Sequence, residues 1–134
     1  AMKVLVIDGQ GGGIGRALVE LMRARLPEAE VIAVGANAIA TSAMLRAGAT
    51  AGATGENAVR VCAREADVIA GPIGIVLKDA MMGEITGEMA SAVAASPARR
   101  VLIPVQRCST CVAGTEDVPL QRLLDDAVAR IAGE

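Results

Sequence analysis

Five glycines fall within seven positions of the stretch VIDGQGGGIGRAL, at 9, 11, 12, 13 and 15. They follow the apolar run KVLVID (3–8) and precede Ile14, Leu18, Leu21, Met22 and Leu26 at helical spacing. A strand, a glycine loop and a helix N-terminus together present free backbone N–H groups and the positive end of a helix dipole. That chemistry holds phosphate or another anion. The candidate binding residues here are Asp8, Gly9, Gln10, Gly11, Gly12, Gly13, Ile14 and Gly15. The spacing is not GxGxxG: with Gly9 and Gly11 as the first two, the third place falls on Ile14. No Gly-Lys-Ser/Thr closes a Walker loop. Gly9, Gly13 and Gly15 fit GxxxGxG. The competing account of the glycines is tight packing of helix on sheet. Asp8 complicates an anion site, because a carboxylate repels bare phosphate. It holds a metal, accepts a ligand hydrogen bond, or orients its own loop.

The absent residues narrow the chemistry further. The chain has no His, Tyr, Phe or Trp, and its only lysines are Lys3 and Lys78. Catalysis would rest on carboxylates, Lys78, a thiol, hydroxyls or a cofactor.

The elements that must position this loop are legible as an alternation. KVLVID reads as a buried parallel strand. The helix after the glycines ends near Pro27. EVIAVG (30–35) is a second strand, and 38–47 a helix stopped by Gly48. ATAGA (49–53) is a very short third strand. A helix from about Gly55 to Arg64 takes Thr54 as its cap. DVIAG (67–71) is a strand ending at Gly-Pro. IGIVLKDAMM (73–82) is ambiguous between strand and helix. Thr86 caps a helix over 87–95, and RRVLIPV (99–105) is another strand. A loop over 106–118 offers CVAG as a short strand. Leu120, Leu123, Leu124, Ala127, Val128 and Ile131 mark one face of a last helix. Strands alternating with helices imply an α/β domain with a mainly parallel sheet. Such sheets bind ligands at strand carboxyl ends, where strand order reverses. Those ends are Asp8–Gly15, Gly35–Asn37, Ala53–Asn57, Gly71–Gly74 and Gln106–Cys108.

Several residues at these ends have both a functional and a structural account. Asn37 offers a ribose hydrogen bond. Thr54 and Glu56 are ordinary helix-start residues, or Glu56 or Asn57 reaches a ligand over the sheet edge. Gly71, Pro72, Ile73 and Gly74 line a ligand or simply turn the chain. Thr41-Ser42 are expected to bond back to the preceding turn. Cys108-Ser-Thr-Cys111 is one CxxC with only Cys62 to spare, which does not complete a zinc site. Incidental thiols are the expectation.

Composition excludes some partners. Formal net charge is -2, and no basic run exceeds Arg99-Arg100. With no aromatic ring to stack, nucleic acid is not an expected partner. The apolar stretches fall short of a membrane span and no leader opens the chain, so a cytoplasmic protein is expected. An odd count of three cysteines does not suit a secreted disulfide framework. Residues 73–90 combine Ile and Met with few charges (Lys78, Asp79, Glu84, Glu88), which suggests a homodimer interface.

GQGGGIGRAL (9–18) resembles the phosphate loop of short-chain dehydrogenases and reductases. That resemblance implies NAD or NADP as cofactor, with GPIG (71–74) lying against its ribose. Those enzymes work with a Tyr-x-x-x-Lys pair. This chain has no Tyr, so their usual chemistry requires another chain. An acid should follow the second strand to hold the NAD ribose, where Gly35-Ala36-Asn37 stands instead. Across nearly its whole length the chain resembles a family of small bacterial proteins carried only as a domain of unknown function. IDGQGGGIG (7–15), NAIATSAMLRAGA (37–49), GATGENA (52–58), GPIGIV (71–76) and GEIT (83–86) carry that likeness. It implies a single Rossmann-like three-layer domain over residues 1–134. The expected function is binding of NAD(P) or a related phosphate-bearing nucleotide through 9–15. The alternative is a mononucleotide or small-anion binder, acting as a regulator or small enzyme. In a purely structural protein the glycines would be packing devices.

Overall fold

A computed structural model describes residues 1–105 and 109–134. The elements are β1 (Lys3–Asp8), α1 (Gly13–Arg25), β2 (Glu30–Gly35), α2 (Ala38–Arg46), β3 (Ala51–Thr54), α3 (Glu56–Glu65), β4 (Val68–Pro72), α4 (Gly87–Ala95), β5 (Arg99–Ile103) and α5 (Leu120–Ile131). The strands form one sheet in the order β3-β2-β1-β4-β5, with every pairing parallel. Chain order runs outward from β1 to β3, then returns to β4 on the other side of β1. The reversal places a crevice at the carboxyl ends of β1 and β4.

The alternation of β1 builds both faces of the core. Val4 and Val6 join Leu18, Val19 and Met22 of α1, Met44 of α2, and Leu124, Val128 and Ile131 of α5. Leu5 and Ile7 point to the opposite face, against Val59 and Ala63 of α3 and Met89 and Val93 of α4. A central strand buried on both faces needs an unbroken apolar run, and KVLVID supplies one. Small residues bring the layers close. A Cβ at Gly71 would run into the Ile7 carbonyl oxygen, so β4 approaches β1 there because Gly71 has none.

Three expectations change. Thr54 does not cap α3: Gly55 stands at the cap without a side-chain hydrogen bond. The Thr54 hydroxyl lies 2.7 Å from that of Thr41 instead. CVAG (111–114) forms no strand and ends in a turn. The ambiguous segment 73–82 is neither strand nor α-helix: a 3-10 turn spans Ile73–Val76 and tight turns follow to Ser/Thr-type capping at Thr86. Ile75 and Ala80 of this segment, and Ile85 and Met89 after it, are buried in the chain's own core, whereas Met82 is exposed. That burial leaves Met82, 94% exposed, as the one large apolar side chain of 73–90 standing free of the core. The expected cap at α4 is present, Thr86 accepting from the Met89 amide at 3.1 Å, and Asn37 caps α2 by accepting from the Ala40 amide at 2.9 Å, a role its place in the sequence did not suggest.

Candidate functional site

Asp8 ends β1 with its side chain turned into the loop that follows. Its Oδ1 accepts the Gly9 amide and its Oδ2 the Gly15 amide, each at 2.7 Å. The carboxylate is 5% exposed. Of the three roles open to Asp8, orientation of its own loop is the one this geometry displays. The Gly12 amide donates to the Gly9 carbonyl at 2.9 Å, closing a turn, and Gln10 takes φ 49° within it. Helix α1 then starts at Gly13, aimed at the switch point.

The five glycines divide by what surrounds them. A Cβ at Gly12 would lie 2.9 Å from Ala40 Cα, and φ there is +73°, so both packing and conformation require glycine. A Cβ at Gly15 would lie 2.6 Å from Met44 Sδ and 3.0 Å from Asp8 Cβ. At Gly9 it would lie 2.7 Å from both Glu84 Oε1 and Met81 Sδ. Gly11 and Gly13 differ: each is exposed, with nothing within 4 Å of the added Cβ and no positive φ. Internal packing therefore explains three glycines and leaves two. The amides at the start of α1 have no acceptor within the helix, and those two glycines leave the space before them bare.

Glu84 and Met81 arrive from the turns after β4. The Glu84 Oε1 atom accepts the Gln10 amide at 2.7 Å and the Asn37 Nδ2 at 3.0 Å. The same Asn37 amide donates to the Gln10 carbonyl at 3.0 Å. Asn37 thus caps α2 with its oxygen and ties the glycine loop to residue 84 with its nitrogen. Met81 lies between Gly9 and Gly74, its Cε 3.4 Å from a Cβ placed on the latter. Met81 thus lies over the ends of β1 and β4, while Glu84 joins the glycine loop to the start of α2. No spacing in the sequence marks them, because nothing in DAMMGEIT shows that the chain doubles back. Only the run of small residues at Gly9 and Gly74, which must face something close, carries a trace of the contact.

The remaining candidates lie around this centre. Pro72 is buried at the end of β4, and Ile73 and Gly74 are half-buried in the following 3-10 turn. Glu56 accepts the Thr86 hydroxyl at 2.6 Å, joining the starts of α3 and α4. Asn57 is exposed in the first turn of α3. Thr41 bonds back to the Asn37 carbonyl at 3.2 Å, as expected, and also accepts the Gly35 amide at 3.1 Å. It pins α2 to the end of β2.

Chemistry elsewhere is sparse. Among the described residues no group of His, Cys, Asp and Glu is arranged to hold a metal ion. Cys62 and Cys111 are free. Cys108, the first half of the CxxC, and the strand end Gln106–Cys108 lie outside the described residues. A cleft of about 640 Å³ opens between β5 and α5, lined by Arg99, Arg100, Leu123 and Arg130. It runs beside the edge strand from Arg99 to Pro104. Among the described residues no helix is long and apolar enough to cross a membrane.

Sheet order, loop position and helix placement define a Rossmann-like α/β protein with a glycine loop at its switch point. The chain belongs to the family described as a domain of unknown function (DUF3842), whose model matches residues 3–134. No curated protein matches it. Among solved structures, AibC is 22% identical, with a TM-score of 0.53. The match covers 97% of this chain and 41% of AibC, so the chain spans less than half of that protein and shares its fold. A dodecameric FMN-dependent Ubix-like decarboxylase from Escherichia coli O157:H7 is 13% identical, with a TM-score of 0.43 over 97% of this chain and 93% of its own.

Proposed function

We propose that the chain binds a phosphate-bearing nucleotide on the glycine loop 9–15, with NAD or NADP the leading candidates. The observation that carries this reading is the pair Gly11 and Gly13. Neither is required by packing or by backbone conformation, yet both stand at the N-terminus of α1. Glycine costs stability in such positions, and close approach of a ligand to the backbone accounts for it. Orientation of the loop by Asp8 supports the reading, because it directs the carboxylate at its own amides rather than at the ligand.

A second reading, a mononucleotide or smaller anion, rests on a different observation. Met81 and Glu84 cover the Gly9–Gln10 end of the loop, which leaves the Gly11–Gly13 end for a short ligand. Calorimetric titration with NAD, NADP, ATP and acyl-CoA ranks these ligands, and the same titration of Gly13→Val tests the loop. The expected result is saturable binding that the variant loses at an unchanged melting temperature. Unchanged affinity in the folded variant removes the loop from the site. Absence of binding by all four ligands removes the nucleotide.

Two copies are also proposed to associate, through the sheet edge rather than through 73–90. Strand β3 is exposed along its length and carries no charge, and Leu45, 41% exposed, lies against Gly52. An uncharged bare edge is suited to pairing with its own copy. Light scattering should give a dimer mass that Leu45→Glu lowers, and a monomer mass for the unaltered chain overturns it.

A further inference from the structure

We propose that residues 77–84 form a strap that covers the Gly9–Gln10 side of the glycine loop in the free protein, and that a ligand phosphate takes the place of the Glu84 carboxylate at the Gln10 amide when the strap opens. This inference rests on the nucleotide reading above and adds its regulation. Three features support it.

The first is the chemistry of the contact. A loop built to present amides to an anion already presents one of them, Gln10 N–H, to an anion of its own chain. A phosphate at the same amide would face the Glu84 carboxylate at contact distance. Like charges so close disfavour each other strongly, so the closed strap and the bound phosphate exclude one another.

The second is the strap backbone. Asp79, Met81 and Met82 have φ of 67°, 58° and 57°. Aspartate tolerates the left-handed region, but it is unfavourable for the two consecutive methionines. Strained residues persist where surrounding contacts over-determine them. Here those contacts are Glu84 on Gln10 and Asn37, Met81 against Gly9, and backbone bonds from Asp79 N–H to the Ile85 carbonyl and from Gly83 N–H to the Asp79 carbonyl. Breaking the contacts at the loop releases the strain, which lowers the cost of opening.

The third is the placement of the anchors. Ile75 before the strap and Ile85 and Met89 after it are buried in the core, and Ala80 is buried within it, whereas Lys78, Asp79, Met82 and Gly83 are exposed. Movement is therefore confined to the span between fixed ends.

Met82 gives a test that leaves the site's own side chains in place, because it is 94% exposed and acts through its backbone. Glycine relieves the strain of the closed strap; a β-branched residue increases it. Met82→Gly should slow hydrogen exchange of the Gln10 amide and weaken pyrophosphate and NAD binding by roughly threefold. Met82→Ile should speed that exchange and tighten binding by a similar factor, since apparent affinity follows the open fraction. Glu84→Gln, which keeps an acceptor but loses the charge, should also tighten binding. Affinities equal across the four proteins overturn the strap while keeping the nucleotide reading. Weaker binding by Glu84→Gln likewise overturns it, by making Glu84 a partner of the ligand. If no protein in the set binds pyrophosphate or NAD, both proposals fall, whatever the exchange rates.

Discussion

Asp8→Asn separates orientation of the glycine loop from contact with a ligand as the role of the buried carboxylate of β1. In the native chain both carboxylate oxygens accept backbone amides, Gly9 on one and Gly15 on the other, at 2.7 Å. Asparagine keeps one acceptor and replaces the other with an NH2 group. Whichever way its amide is turned, one backbone N–H then faces a donor. The site is 95% buried by the complement of its 5% exposure, so water offers little relief. A hydrogen bond to a charged group contributes about 1.5–3 kcal/mol, and a buried donor left unsatisfied costs about 1–3 kcal/mol. The two overlap, since both describe the same lost contact, and a total of about 2–4 kcal/mol follows. Unfolding entropy of about 2.1 cal/mol/K per residue gives about 0.28 kcal/mol/K for 134 residues. Thermal unfolding followed by circular dichroism should therefore show a drop of roughly 7–14 °C. A melting temperature within about 1 °C of the native value would refute the reasoning, since orientation of the loop could not then depend on the carboxylate. A native melting temperature combined with lost ligand binding would assign Asp8 to the ligand.

Three further outcomes follow from particular contacts. Gly12→Ala meets Ala40 Cα at 2.9 Å with φ at +73° and should lose about 2 kcal/mol in chemical denaturation, whereas Gly11→Ala, with open space, should unfold like the native chain. Thr41→Val leaves the Gly35 amide without the hydroxyl that accepts it at 3.1 Å and should cost about 1–3 kcal/mol by the same measurement. Burial first, with the Glu65 charge adding to it and Lys3 opposing, pushes the Cys62 thiol above its ordinary value. Peptide mapping after iodoacetamide near neutral pH should find Cys62 modified more slowly than the exposed Cys111. The sign for stability follows: the raised value favours the folded state below the ordinary thiol range and loses that contribution as pH rises through it, a loss Cys62→Ala should abolish.

The parts of the fold that the sequence displays are those where one physical requirement dominates. A strand buried on both faces must be apolar throughout, so KVLVID reads correctly. Helix α5 lies against the sheet on one side only, so its leucines repeat at helical spacing. Residues 73–86 obey no such single requirement. Ile75, Ala80 and Ile85 are drawn into the core from successive turns, Met81 is drawn toward Gly9, and Met81 and Met82 adopt a backbone that their type disfavours. No period survives those competing demands, which is why the segment fits neither template. The candidate site divides in the same way. The loop amides belong to a local motif of contiguous residues and are visible in GQGGGIG. Glu84 reaches Gln10 across 74 positions, and Asn37 across 27, through the strand order β2-β1-β4. That order is a property of the assembled sheet and leaves no mark on the spacing of the residues it joins. The glycines hold the intermediate case: the sequence states that five positions need empty space, and only the neighbours, Glu84, Ala40 and Met44 among them, distinguish space filled by the fold at 9, 12 and 15 from space left open at 11 and 13.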